Sequence, residues 1–291
     1  MNRHDFLSGI HAAYKPRSYL EIGINDGRGL RRSRTRTIGV DPSFRIVSEL
    51  ACDLQLVKAT SDDFFARDNP ISWFPEGVVD FSFIDGLHIF EFALRDFMNA
   101  ERLSSPHSVI VFDDMLPRSV AEAARDRHTN YWTWDVYKVA TVLERYRPDL
   151  VTLVLDTEPT GLLLVLGADP NSTVLKDRYD EILAEYVSDD PQDVPDAVLH
   201  RTAAADPFQV LASPVWSALA QARDAGAERV AVDEVAALRG TARYVVDPPD
   251  PGVWPPVKAR AKTPPNSPAA ARDGSASALV HRVRKAIKRR L

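Results

Sequence analysis

The sequence predicts an α/β fold built on a mainly parallel, Rossmann-like sheet, and two observations support this. Seven short runs rich in Val, Ile and Leu recur between residues 18 and 167, and helix-like or loop-like segments separate most of them. Runs that are apolar throughout are typical of strands buried on both faces of a sheet. Their alternation with helices is typical of a doubly wound arrangement.

The seven predicted strands follow these runs directly. They cover residues 18–24, 37–42, 54–60, 79–86, 108–115, 151–157 and 161–167. Amphipathic patterns predict helices over residues 88–105, 119–127 and 134–146. Only Glu158, Pro159 and Thr160 separate the last two strands, too few residues for a parallel crossover. We therefore expect a seven-stranded sheet whose last strand is inserted antiparallel.

The chain divides into four predicted segments. Residues 1–168 form the α/β domain, and the Ala-rich residues 169–246 form a helical extension. Residues 247–277 are too rich in Pro, Ala and Ser to offset their ordering entropy, which predicts a disordered linker. Residues 278–291 alternate apolar and basic side chains at helical spacing. This tail is expected to contact a polyanion or the inner membrane face peripherally, unless it is an unstructured basic end.

Composition narrows the class of protein. No apolar run approaches the ~18 residues of a membrane span, and the N-terminus lacks a secretory signal pattern, so we expect a soluble, cytoplasmic protein. The net charge is −5 although the C-terminal tail is basic, so the remaining chain is acidic, which argues against nucleic-acid binding. Cys52 is the only cysteine, which excludes an intramolecular disulfide and a Cys-rich metal site.

The end of the first strand carries the pattern of a nucleoside-binding turn. Glu21 lies in this strand and Gly23, Asn25 and Gly27 follow, and glycines at a strand end let a ligand approach the backbone closely. The second strand ends at Asp41, whose carboxylate can accept hydrogen bonds from both ribose hydroxyls. After the third strand, Ser61 and Asp62 are placed to meet an adenine amino group.

Acidic residues follow the fourth and fifth strands. Asp85 and His88 come after the fourth, and Asp113 and Asp114 end the fifth. Carboxyl ends of neighbouring parallel strands converge on one crevice, so three carboxylates should meet beside an imidazole. Because clustered carboxylates repel, a divalent cation is the simplest way to keep them ionised, and oxygen ligands favour Mg²⁺, with Mn²⁺ as the alternative. The other interpretation of Asp85 is a helix N-cap.

These residues resemble the class I S-adenosylmethionine (SAM)-dependent methyltransferases over about residues 15–168. The chain is most similar to the small metal-dependent O-methyltransferases that act on sugars and macrolide sugars. The resemblance implies that Glu21, Gly23 and Gly27 line the methionine and ribose part of SAM. Asn25 departs from the commoner glycine, and the short, arginine-rich segment between Gly29 and Ile38 predicts a truncated first helix.

The same resemblance assigns the catalytic roles. Asp85, Asp113 and Asp114 match the metal ligands of that group, and His88 matches its general base. The expected reaction is methylation of a hydroxyl on a small-molecule or glycan acceptor, with cation and imidazole sharing the activation of the oxygen. A homodimer is also expected, because such domains commonly pair.

Several alternatives stay open from the sequence. Trp132 and Trp134 follow the fifth strand, and they either contact the acceptor or belong to the core. An NAD-dependent oxidoreductase is the rival enzyme, although the Gly-x-Gly-x-x-Gly fingerprint is absent. A non-catalytic Rossmann-like interaction module is the third hypothesis, and the acid cluster speaks against it.

Overall fold

The computed structural model describes residues 1–227 and Leu238, and all structural statements below concern these residues. The predicted linker 247–277 and the predicted basic tail 278–291 lie outside them, as does most of 228–246. None of the described helices is both long and apolar enough to cross a membrane.

Seven strands form one sheet in the order β3-β2-β1-β4-β5-β7-β6. Strands β1 to β5 are mutually parallel, and β7 runs antiparallel to both β5 and β6. This confirms the predicted fold class and the antiparallel hairpin. The strands β1 to β7 cover Ser18–Ile22, Arg36–Val40, Leu54–Val57, Phe81–Ile84, Val109–Phe112, Val151–Leu155 and Leu162–Leu166.

The helices cover both faces of the sheet. In chain order, α1 to α10 cover Arg3–Tyr14, Ser61–Phe65, Phe90–Arg102, Val120–Ala123, Lys138–Tyr146, Val174–Asp177, Tyr179–Tyr186, Asp196–Leu199, Pro207–Leu211 and Val215–Asp224, and a 3-10 helix covers Leu30–Arg32. Helices α1, α9 and α10 share one core cluster with β1, β4 and β5. Helices α3 and α5 share another with the opposite face of β4, β5 and β7.

Two predicted helices are shorter in the structure. The helix expected over 119–127 is only the single turn α4, and the helix expected over 134–146 begins at Lys138. Asp135 explains the late start, because its carboxylate accepts a hydrogen bond from the Phe90 amide at the start of α3 and pairs with Arg125. Trp134 also has φ +51°, which a continuous helix excludes. Tertiary contacts therefore override the periodicity here.

A buried ion pair fastens α3 to the chain after α5. Arg147 is 2% exposed and donates two hydrogen bonds of 2.7 Å to Glu101, while Asp149 accepts from its other guanidinium nitrogens. Glu101 also accepts from the amide of Asp169, just after β7. The pair thus connects three segments of the α/β domain.

Replacing Arg147 tests this connection. We expect Arg147→Leu to lower the free energy of unfolding by about 3–5 kcal/mol, because the Glu101 carboxylate would stay buried without its partner. The matched control is Arg178→Leu, which breaks an exposed pair with Glu181 and should cost at most about 1 kcal/mol. Urea denaturation measures both, and similar losses in the two variants would contradict the structural role of Arg147.

Candidate active site

The register of the parallel strands places the predicted site residues in one row. Ile22 of β1 is paired with Val40 of β2 and with Ile84 of β4, and Ile84 is paired with Phe112 of β5. The residue that follows each of these four therefore lies at the same edge of the sheet. These residues are Gly23, Asp41, Asp85 and Asp113.

The turn after β1 approaches its neighbours too closely for side chains. Gly23 has φ +88°, and a Cβ there would lie 1.9 Å from the carbonyl oxygen of Asp85. A Cβ on Gly29 would lie 2.3 Å from a carboxylate oxygen of Glu21. Glycine is therefore required at position 23, whereas a side chain at position 29 would force the Glu21 carboxyl to move. Gly27 has φ +82°, and the turn continues directly into the short 3-10 helix at 30–32, which agrees with the predicted truncated helix.

Glu21 is a buried acid at the floor of this turn. It is 2% exposed, and one of its carboxylate oxygens accepts a hydrogen bond of 2.8 Å from the Tyr19 hydroxyl. Burial raises the pKa of Glu21 to about 8, although the Tyr19 hydrogen bond lowers it. Near neutral pH the carboxyl is therefore largely protonated, and it can donate a hydrogen bond as well as accept one.

Asp41 fixes the end of β2 against the glycine turn. Its two carboxylate oxygens accept hydrogen bonds from the amide of Asn25 at 2.9 Å and from the amide of Ser43 at 2.6 Å. Asn25 is exposed and has φ +42°, a conformation that asparagine tolerates better than most residues. Because each carboxylate oxygen has more than one acceptor direction, Asp41 retains capacity for a ligand's hydroxyl groups.

The third predicted contact point, after β3, is partly engaged by the protein itself. Thr60 caps α2, whose first turn contains Ser61 and Asp62. Asp62 forms a two-pronged ion pair with Arg95 of α3, at 3.0 and 2.7 Å. Asp96, the neighbour of Arg95, is 1% exposed, and its Oδ1 has no hydrogen-bond partner among the described residues. Asp96 lies in the helix predicted over residues 88–105, and its burial was not predicted.

Three of the predicted catalytic side chains meet after β4 and β5. The Nε2 atom of His88 lies 3.3 Å from Asp85 Oδ1 and 3.1 Å from Asp114 Oδ2. His88 is 4% exposed, whereas both carboxylates are partly accessible. Asp114 has φ +64° and accepts a hydrogen bond of 2.5 Å from the Thr160 hydroxyl. One ligand atom from each of Asp85, His88 and Asp114 lies within 4.8 Å of the others.

Asp113 is placed differently from its predicted partners. It is 1% exposed and forms an ion pair with Arg3 at the start of α1, and its other oxygen accepts from the Asp114 amide. The Arg3 guanidinium also lies 3.9 Å from Asp85. The Arg3 guanidinium therefore compensates the charge of Asp113. The sequence-based hypothesis gave that role to a divalent metal ion. Nothing in the sequence pattern links Arg3 to a residue 110 positions away.

The cluster of Asp85, His88 and Asp114 is chemically suited to a divalent cation. Two carboxylates and one imidazole nitrogen are metal ligands, and their spacing is compatible with a shared ion. Carboxylates suit Mg²⁺ and Mn²⁺, whereas imidazole favours later transition metals, so the donor set fits Mn²⁺ at least as well as Mg²⁺. A cation bound by Nε2 would prevent that same nitrogen from accepting a proton.

The aromatic segment after β5 borders His88 from the other side. The ring centroids of Trp134 and His88 are 6.1 Å apart, and Trp132 stacks on Trp134 at 3.6 Å. Trp134 is 2% exposed and donates its indole N–H to the carbonyl of Arg125. Trp134 therefore forms a fixed wall behind the imidazole. Tyr131, at 59% exposed, is the accessible aromatic residue of this segment.

The comparison with protein families agrees with this geometry. Residues 20–115 match the family model described as methyltransferase domain. The matched stretch runs from β1 to just beyond β5 and includes all four strand ends of the site. Over this stretch the chain is similar to methyltransferase domains.

Solved structures with a similar fold cover just over half of the chain. An O-methyltransferase from Bacillus cereus in complex with SAH is 18% identical, with 57% of this chain and 80% of that chain covered and a TM-score of 0.40. The SAM-bound O-methyltransferase TomG from Streptomyces achromogenes, involved in tomaymycin synthesis, is 21% identical, with 57% and 80% covered and a TM-score of 0.40. No curated protein matches the sequence.

The buried carboxyl of Asp96 gives a prediction about stability and pH. Burial raises the pKa of Asp96 to about 7, above the value near 4 of an unfolded chain. The folded state then binds more protons than the unfolded state between these values, so this residue lowers stability as pH rises from about 4 to about 7. Asp96→Asn removes the effect, and its unfolding free energy relative to wild type should increase by roughly 1–3 kcal/mol between about pH 5 and about pH 8.

Chemical denaturation at the two pH values measures this difference. The exposed residue Asp63 provides the control, and Asp63→Asn should show no such trend with pH. If the unfolding free energy of Asp96→Asn relative to wild type stays constant between these pH values, the raised pKa of Asp96 is contradicted.

Proposed function

We propose that this protein is a SAM-dependent O-methyltransferase that methylates a hydroxyl of a small acceptor such as a sugar, a glycan or a glycosylated metabolite. The observation that carries the proposal is the position of His88 between Asp85 and Asp114, at the same sheet edge as the glycine turn. Bound SAM would supply an electrophilic methyl group at this edge. The chain's own residues must then bind the cofactor and remove a proton from the acceptor.

The cofactor contacts in this proposal lie on three strand ends. Gly23 and Gly27 leave the backbone open to the methionine part of SAM. The protonated Glu21 can donate a hydrogen bond to the carboxylate of SAM. Asp41 would accept from the ribose hydroxyls, with Asn25 at the same turn. Ser61 and Asp62 are the proposed adenine contacts, and Asp96 is a further buried acid on this side.

In the proposed mechanism, His88 Nε2 accepts the hydroxyl proton of the acceptor. After the transfer, the carboxylates of Asp85 and Asp114 can accept a hydrogen bond from the protonated Nε2 and stabilise the imidazolium. Trp134 excludes water from the protected side of the ring. An alcohol is a weak acid, so the transfer needs further stabilisation of the developing negative charge on oxygen.

We assign that stabilisation to a divalent cation, Mg²⁺ or Mn²⁺, held by Asp85 and Asp114. When bound, it would lower the pKa of the coordinated hydroxyl. Asp113 belongs to the originally expected ligand set, and its ion pair with Arg3 favours a supporting role instead. In this arrangement His88 remains free to act as the base, and a ligand role for His88 is the competing assignment.

Two variants distinguish the base from the ligand. His88→Gln should reduce turnover by roughly 10²–10⁴-fold, because a general base is lost, while SAM and Mn²⁺ still bind. Asp114→Asn should weaken Mn²⁺ binding and turnover together while SAM affinity stays within about twofold, because a carboxylate ligand is lost. Calorimetry with each ligand and a methyl-transfer assay on a panel of hydroxylated acceptors measure these effects.

The outcomes separate the parts of the proposal. Loss of Mn²⁺ binding in His88→Gln would make the imidazole a ligand and contradict its role as base. Turnover that a chelator leaves unchanged would remove the cation and leave Arg3 as the positive charge beside the acids. Binding of NAD in place of SAM would favour the oxidoreductase hypothesis, and SAM binding without transfer to any acceptor would favour a non-catalytic module.

Localisation and assembly form a separate part of the proposal. The predicted basic tail, residues 278–291, is the basis for peripheral contact with the inner membrane face. We propose a homodimer because domains of this class commonly pair.

A further inference from the structure

A second cavity lies between α1 and the segment that follows the glycine turn. Its volume is about 600 Å³. The α1 wall consists of side chains at helical spacing on one face, namely Ser8, His11, Ala12 and Lys15. The opposite wall consists of Arg31, Arg32, Arg34 and Thr35, and Pro16 closes one end.

Four cationic side chains surround the opening of this cavity. Lys15, Arg31 and Arg34 are exposed, and Arg32 is half-buried. Within residues 1–227 the structure pairs none of these four with a carboxylate, although it pairs most other arginines of that region. Arg34 donates hydrogen bonds of 2.7 Å to the carbonyls of Arg31 and Ser33, which keeps it beside Arg31. Like charges held together repel, and an anion between them would relieve that repulsion.

Buried nitrogens without partners line the same cavity. His11 packs its ring against Tyr19 and Phe81, at centroid distances of 4.8 and 5.2 Å, and its Nε2 atom has no hydrogen-bond partner among the described residues. The Nε atom of Arg32 is likewise buried and unpaired. Leaving such groups unsatisfied is costly, and both belong to residues that line the cavity. Burial lowers the pKa of His11 to about 4, so the ring is neutral at physiological pH.

We propose that this cavity, formed by α1 and residues 31–35, binds the phosphate group of a small molecule. Guanidinium groups match phosphate oxygens in two-pronged hydrogen bonds, and three arginines with one lysine supply the charge for a dianion. The cavity volume of about 600 Å³ favours a small ligand over a flat anionic surface.

This site is separate from the acids at the strand ends. Arg3, which pairs with Asp113, begins α1, whereas His11 lies in its C-terminal half and Lys15 caps its C-terminus. With a rise of about 1.5 Å per residue, the eight residues from Arg3 to His11 span about 12 Å. Binding at the cavity can therefore be measured without SAM or an acceptor, and it stands or falls independently of methyl transfer.

Calorimetry and ³¹P NMR with inorganic phosphate and with pyrophosphate test the proposal on the full-length protein. The double variant Arg31→Gln/Arg34→Gln removes two exposed cations of the cavity. The matched control is Arg67→Gln/Arg178→Gln, which removes the same charge at two exposed positions outside it. We expect pyrophosphate to bind the wild type, the cavity variant to lose at least about tenfold in affinity, and the control to stay within about twofold.

Thermal melting of both double variants checks that they remain folded. Absence of pyrophosphate binding to the wild type, or an equal loss in both double variants, would overturn the proposal. Binding to vesicles of phosphatidylglycerol and phosphatidylcholine tests whether the phosphate belongs to a lipid or to a soluble molecule. Retention on these vesicles without binding of free pyrophosphate would also overturn it, because a surface contact would then explain the basic residues.

Discussion

Carboxylates brought together at the ends of adjacent parallel strands are the constraint on which the rest of this structure depends. The register of β1, β4 and β5 fixes Asp85 and Asp113 at one level, and Asp114 follows at once. Charges this close cannot remain ionised without compensation. Arg3 from α1 supplies a positive charge for Asp113, and the imidazole of His88 lies between Asp85 and Asp114. Helix α1, which supplies Arg3, and the aromatic segment that packs behind His88 are thus part of the site.

The sequence predicted most of what depends on local pattern and on sheet topology. Apolar runs identify all seven strands, since a parallel sheet buries both strand faces, and the three-residue connection before β7 required an antiparallel hairpin. The rule that strand ends converge then brought Asp85, His88 and Asp114 together correctly. These predictions rest on periodicity and chain geometry, which are properties of neighbouring residues.

The features that escaped prediction depend on partners distant in the chain. Arg3 could not be assigned to Asp113 from spacing, and the helix that carries it was not predicted. Glu91 and Glu101 lie in the predicted amphipathic helix over residues 88–105, and their burial was not predicted. Both are buried because Arg125 and Arg147 pair with them. An acidic residue in a helix therefore predicts exposure to solvent only when no basic side chain from elsewhere in the fold can pair with it.

Helix α1 connects two regions of opposite charge. Its N-terminal end contacts the acids at the strand ends, and its C-terminal half forms one wall of the basic cavity. Tyr19 lies between them, since its ring packs on His11 and its hydroxyl donates to Glu21. The acidic cluster suits an activated hydroxyl or a cation, while the basic cavity suits an anion. The two sites therefore select different chemical groups on one domain.

The central claim is that the ends of β1, β2, β4 and β5 form a single cleft for cofactor and acceptor. A crystal structure of the protein with S-adenosylhomocysteine tests it most directly. We expect the ribose at Asp41, the amino-acid part over Gly23 and Glu21, and the sulfur facing His88. Electron density for the ligand at any other surface, or no ligand density in the cleft at saturating ligand, would contradict it.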